Sequence, residues 1–165
     1  MAVGTVLILV ALDLFSKTMA DRYLVDGLIV EIIPGFFNLQ WDSNTGAAWN
    51  LLAEHSWGTA ALAVVSLAVS VVVLYYLQRC RGFKAKLVLL LIAAGGIGNL
   101  VDRVRLGRVT DFLSFIFGSY RFPTFNLADS FVTVGVILAI IFLLIDRDFS
   151  FELAGCCPPG KGDNE

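Results

Sequence analysis

Two carboxylates stand out by their surroundings. Asp111 lies in Val109-Thr110-Asp111-Phe112, and Asp129 lies in Phe125-Asn126-Leu127-Ala128-Asp129-Ser130. Asp129 leads straight into Phe131–Ile145, a run without a single charge. An ionisable group at the mouth of such a run is costly unless it is paired or faces a cavity. Two carboxylates brought close cannot both ionise cheaply, so they share a proton. Such a pair can hydrolyse an amide: the ionised member draws a proton from water while the protonated member polarises the carbonyl. The titration then belongs to the pair. Taken singly, each Asp reads equally well as a helix cap or a turn residue at a membrane surface. Other routes to hydrolysis lack their parts. His55 is the only histidine, so no Ser–His or Cys–His arrangement is available, and no zinc motif is present. No metal and no cofactor is expected.

The elements that must position these residues are membrane elements. Of 165 residues, 58% are hydrophobic and 16% charged, against roughly a quarter charged in a soluble domain. The deficit is concentrated in long runs, which is a membrane pattern. A formal charge of -2 is too small to imply nucleic-acid binding. Cys80, Cys156 and Cys157 form no metal-ligand framework, and an odd count argues against a disulfide scaffold. The length suits one compact domain.

Four spans are read, at residues 3–20, 59–77, 87–103 and 127–145. The first lacks a basic n-region and a small-residue cleavage site, and reads as a retained helix. Within it Asp13 and Lys17 are four apart and share a face, a spacing that permits a neutralising pair; the alternative is Lys17 snorkelling to the interface. The third span carries Gly95, Gly96 and Gly98, which permit close helix approach. Residues 21–57 contain short β-branched and aromatic stretches broken by turn clusters, and read as a small extramembrane β-sheet. Phe36, Phe37, Trp41, Trp49 and Trp57 there suit the headgroup layer. Residues 149–165 read as a mobile tail. The fold expected is therefore a mostly α membrane protein, four transmembrane helices with a small extramembrane sheet between the first and second. The loop Arg79–Lys86 holds four basic residues in eight positions, which places it and both termini in the cytoplasm. Asp111, the start of the last helix and residues 21–57 then lie on the outer side.

Polar residues gather near the two carboxylates. Asn126 and Asp129 are three apart, and Asn99 and Asp102 repeat that spacing on the preceding span. Asp102 with Arg103 reads as an ion pair or a tether for the outer loop, and Asp102 is the alternative to Asp111 as a catalytic partner. Asn44 and Gly46 either touch substrate backbone or form a tight turn. A competing function is a small ion-coupled transporter with Asp13, Asp102 and Asp129 as a relay; only four helices and no inverted repeat weigh against it. A scaffold without chemistry leaves the clustering of polar groups near one side unexplained.

Five blocks in order carry a resemblance. They are Asp13 with Ser16-Lys17; Asn44-Thr45-Gly46-Ala47-Ala48-Trp49; Gly95-Gly96-Ile97-Gly98-Asn99-Leu100-Val101-Asp102-Arg103; Val109-Thr110-Asp111-Phe112; and Phe125-Asn126-Leu127-Ala128-Asp129-Ser130. Together they resemble the bacterial lipoprotein signal peptidases, or signal peptidase II. Trp49 stands where that family usually has Phe, and Thr110 where it often has Val. The resemblance implies an aspartyl endopeptidase of the cytoplasmic membrane. It would act on prolipoproteins that already carry a diacylglyceryl group, cutting before the lipidated cysteine. It places the catalytic pair on Asp111 and Asp129. Asn44, Gly46, Asn99, Arg103, Asn126 and Ala128 become substrate-binding or supporting residues, and Asp13, Lys17 and Asp102 structural polar residues. The expected partners are lipidated prolipoproteins and membrane lipid, with the enzyme a monomer. Leu153-Ala154-Gly155-Cys156 spells a lipobox, but the expected topology places it in the cytoplasm, and it is read as a chance match.

Overall fold

Long uncharged runs leave the backbone one solution in hydrocarbon, a helix that satisfies each N–H and C=O internally. The computed structural model describes residues 2–24, 27–46 and 57–145. Among them are four helices long and apolar enough to cross a membrane: α1 (Ala2–Tyr23), α2 (Gly58–Arg79), α3 (Phe83–Leu106) and α4 (Leu127–Ile145). The 22 residues of α1 and of α2 extend about 33 Å at the α-helical rise, enough for a hydrocarbon layer of about 30 Å. The basic segment expected as a loop over Arg79–Lys86 is mostly helical. Only Cys80–Gly82 separate α2 from α3.

The third helix is the hub, packing against α1, α2 and α4. Its buried face is built from Ala93, Ala94, Gly95 and Gly98 before it turns polar at Asn99 and Asp102. At Gly95 a Cβ would strike the Ala128 carbonyl and Val132, and at Gly98 it would strike the Asp13 carboxylate. These two positions must lack a side chain for α4 to come this close. Leu7, Val64 and Ile140 face outward and stay exposed, as expected of surfaces that meet lipid.

The extramembrane sheet has the order β1-β2-β3-β4, all neighbours antiparallel. Strands β1 (Ile29–Ile33) and β2 (Phe37–Asn44) lie between α1 and α2. Strands β3 (Val109–Phe117) and β4 (Tyr120–Arg121) come from the segment between α3 and α4, so the sheet is not confined to residues 21–57. The sequence does not announce β3 because its first four residues are all buried, which removes the apolar–polar alternation of a half-buried strand. Leu39 stands opposite Leu113 while Asp42 stands opposite Asp111. β2 therefore carries one extra residue over that stretch, a bulge that re-aims its end. On the Asp111 face Phe37 stacks on Phe115 with ring centroids 4.7 Å apart. The sheet is bolted to the end of α1 by Asp21, whose Oδ1 accepts from Trp41 Nε1 (2.7 Å) and Thr110 Oγ1 (3.0 Å). Ala47-Ala48-Trp49, His55, the stretch Asp146–Asp148 and the tail with its lipobox lie outside the described residues.

Candidate active site

Local rules bring the two carboxylates together. α3 ends at Gly107, whose φ of 67° is left-handed and whose N–H caps the Arg103 carbonyl at 3.1 Å. Glycine suits this cap because it carries no Cβ penalty there. The chain turns into β3, and Asp111 is its third residue, only 2% exposed. Phe125 then bridges to Leu113, with backbone N–H bonds of 2.8 and 3.1 Å in the two directions. That bridge sets the start of α4 beside β3. Asn126 caps the helix: its Oδ1 accepts the Asp129 N–H at 3.0 Å, and Asp129 Oδ2 accepts the Asn126 N–H at 3.3 Å. This reciprocal arrangement is a capping box, and it holds Asp129 in the first turn of α4, where the helix dipole favours negative charge.

Three asparagine amides wire the pair. Asn126 Nδ2 donates to Asp111 Oδ1 at 2.6 Å and to Asn99 Oδ1 at 3.2 Å. Asn44 Nδ2 donates to Asp111 Oδ2 at 3.0 Å, and Asn99 Nδ2 to Asp129 Oδ1 at 2.7 Å. The Asn44 amide is oriented by the Gly46 N–H, which donates to its Oδ1 at 2.9 Å; the tight-turn reading of Asn44 and Gly46 is thus realised, and it aims the amide nitrogen at Asp111. Burial, and then the charge of Asp129, push the Asp111 carboxyl up to about 7, against the pull of its two amide donors and of Lys17. A group in that range can hold a proton at neutral pH and still release it.

Arg103 borders this pair. Its Nη2 donates to the Gly46 carbonyl at 3.1 Å and its Nη1 to the Asn99 carbonyl at 3.4 Å, while its buried Nε has no partner among the described residues. Asp102 points elsewhere. Adjacent residues on a helix lie about 100° apart, so Asp102 does not join Arg103 as the sequence suggested. It meets Lys17 Nζ at 3.1 Å and accepts from the Thr110 N–H at 3.4 Å. Lys17 also meets Asp13 at 2.8 Å, the i,i+4 pair expected on α1. Asp13 Oδ1 accepts the Ala128 N–H at 2.8 Å, so Ala128 takes part through its backbone and its lack of bulk.

Of the residues singled out in sequence, Asp111, Asp129, Asn44, Asn99 and Asn126 converge, with Arg103 and Gly46 beside them. Asp13, Lys17 and Asp102 form a separate buried cluster under the same helix start. Sequence reasoning missed Asp21 and Thr110, which anchor β3. The signal available was a carboxylate placed directly after the first span.

Comparison with known proteins gives the family and the fold. The family described as Signal peptidase (SPase) II matches residues 5–145. The chain belongs to the signal peptidase II family. It is 39% identical over 142 residues to the lipoprotein signal peptidase of Bacillus pumilus (strain SAFR-032), covering 84% of this chain and 89% of that protein. It is likewise 39% identical over 141 residues to that of Symbiobacterium thermophilum, covering 84% and 91%. Two bacterial membrane enzyme structures obtained by the in meso method share the fold. One superposes with a TM-score of 0.73 at 30% identity, covering 89% of each chain. The other gives 0.72 at 31%, covering 88% of this chain and 93% of its counterpart. The chain is therefore a multi-pass bacterial membrane protein and, as a signal peptidase II, an aspartic-type peptidase.

Proposed function

We propose that this signal peptidase II removes the signal peptide from diacylglyceryl-modified prolipoproteins by cutting before the lipidated cysteine, with Asp111 and Asp129 as the catalytic pair. The observation that carries the reading is the wiring of two carboxylates from different elements through two amide side chains in contact, Asn126 on Asp111 and Asn99 on Asp129. Asp129 takes a proton from water as the oxygen attacks the scissile carbonyl, and Asp111 gives its proton to the carbonyl oxygen. The tetrahedral intermediate collapses as the nitrogen takes the proton from Asp129. The carbonyl is restored by returning a proton to Asp111, so the pair ends as it began. The Nε of Arg103, without a partner among the described residues, is a donor suited to a substrate carbonyl.

Both carboxylates and their amide donors come from one chain, which supports a monomer as the working unit. The site sits where α3 ends and α4 begins, at the end of the bundle opposite the basic α2–α3 turn. By the charge rule that turn and both termini are cytoplasmic, and the site faces the outer leaflet. All five residues of β1 are exposed and four of them are aliphatic, which suits a sheet resting against membrane lipid.

The functional test is cleavage of a prolipoprotein with and without its diacylglyceryl group. Only the lipidated form should be cut efficiently, and equal cleavage of both would refute the substrate assignment. For topology, a cysteine introduced at Gly82 should resist a membrane-impermeant reagent added from outside; selective labelling from that side would reverse the orientation.

A further inference from the structure

Lys17 is buried to 2% exposure, and its contacts divide unequally. Two carboxylates, Asp13 and Asp102, account for charge neutralisation at 2.8 and 3.1 Å. The third contact runs towards the catalytic pair: Nζ donates to Asn99 Oδ1 at 2.9 Å. An ammonium has three donors and no acceptor, and these three contacts are its polar surroundings. The consequence falls on Asn99. A carboxamide offers oxygen on one side and nitrogen on the other. Turned round, it would set its N–H against the Lys17 ammonium and its oxygen against the Asp129 carboxylate, two like-with-like contacts.

We propose that Lys17 is a positioning residue for the aspartate pair: it holds the Asn99 amide with its oxygen inward, so that the amide nitrogen donates to Asp129 and marks Asp129 as the proton-accepting member. The proposal rests on the two-aspartate reading above. Donor polarity runs one way along the path, from the ammonium through the amide to the carboxylate, and hydrogen bonds in such a chain polarise one another. The other groups around the path keep this sense. Asn126 Nδ2 adds a second donor to Asn99 Oδ1. Arg103 binds the Asn99 carbonyl and not its side chain. Asp13 and Asp102 are occupied by Lys17, and Asp111 accepts from Asn44 and Asn126. The neutralising role alone does not call for the third bond.

The test compares Lys17→Met combined with Asp102→Asn, which removes one charge of each sign, with Asp102→Asn alone. Turnover and pH profile are measured per folded enzyme in detergent on a lipidated prolipoprotein. The double variant should lose at least about tenfold in kcat near neutrality with little change in KM. Its acidic limb should move to higher pH, so that part of the loss is regained in mildly alkaline buffer. Asp102→Asn alone should keep the parental profile. A parental profile in the folded double variant overturns the proposal. Asn99→Leu keeps both carboxylate contacts of Lys17 and supplies a second reading should the double variant fail to fold: it should show the same displaced limb, and an undisplaced limb overturns the proposal. Asp111→Asn and Asp129→Asn are run alongside. Turnover by either would bring down the two-aspartate reading itself, whereas their inactivity beside an unmoved limb would bring down the role of Lys17 alone.

Discussion

Two clusters of the same make-up lie side by side at the start of α4. Each has two aspartates and one long cation: Asp13, Asp102 and Lys17 in one, Asp111, Asp129 and Arg103 in the other. They are wired in opposite ways. Lys17 reaches both of its carboxylates directly. Arg103 spends its terminal nitrogens on the carbonyls of Gly46 and Asn99. The carboxylates beside it are held instead by neutral amides. A buried charge cluster in direct contact is neutralised within itself and serves architecture. Neutral donors orient a carboxylate without cancelling its charge, so a proton can come and go. The lesson is that the number of charges does not distinguish a strut from an active site; the identity of the groups contacting them does.

The largest effect expected is on the second cluster. Asp111→Asn and Asp129→Asn should each reduce turnover by about a thousandfold or more, and the double variant should be hardly worse than either single one, because both act in the same step. Thermal unfolding of these variants should stay close to the parent or rise slightly. Substantial cleavage by a well-folded single variant would end the comparison. The first cluster should answer in reverse. Asp13→Asn should lower folded yield and unfolding temperature, by less than the about 3–5 kcal/mol of a fully broken buried pair, since Lys17 keeps Asp102. Turnover per folded molecule should change little. Normal yield with abolished turnover would move Asp13 into the chemistry.

Gly98→Ala probes the contact between the two clusters. The new Cβ would lie 2.5 Å from Asp13 Oδ2 and 3.1 Å from Ala128 Cβ. Overpacking of this kind costs about 1–3 kcal/mol, and here it should also displace the first turn of α4. Stability and kcat should fall together, and a loss of stability with full turnover would show that the clusters are independent. The smallest effect is on the pH dependence of stability. Asp111 holds its proton more tightly folded, at about 7, than at its ordinary value of 3.8. The folded state therefore binds more protons between those values, and this contribution is complete below the lower one and lost as pH rises through the higher. Relative to Asp111→Asn, the parent enzyme should lose unfolding temperature over that window. Parallel curves would contradict the burial argument.

Much of this was legible in the sequence. The spans are uncharged runs, and Asp13–Lys17 declares itself by four-residue spacing. Asp111 and Asp129 stand out as carboxylates in apolar company. What was not legible depends on pairing across distance. β3 hides as a motif because its buried start has no alternation, and its partner β2 lies about seventy residues earlier. The direction taken by Asp102, towards Lys17 and away from Arg103, follows from where α1 packs on α3. The bulge in β2 that aims Asn44 at Asp111 is a register fact with no local signature. Sequence spacing shows which residues share a helical face, but not which neighbour that face will meet.

The bridge between Phe125 and Leu113 has a consequence for the making of the enzyme. Chains emerge amino end first, so each element is available only once its residues have been made. The first three helices and β2 exist before β3 has been synthesised, and Asp129 arrives only with the last span. Asp111 can be in place while its partner is still in the ribosome. On the two-aspartate reading, activity then waits for a single late event, the seating of α4 and its capping box against β3. On the same reading a half-made chain in the bilayer cannot cut the precursors drifting past it, and a chain that fails to insert its last helix cannot either.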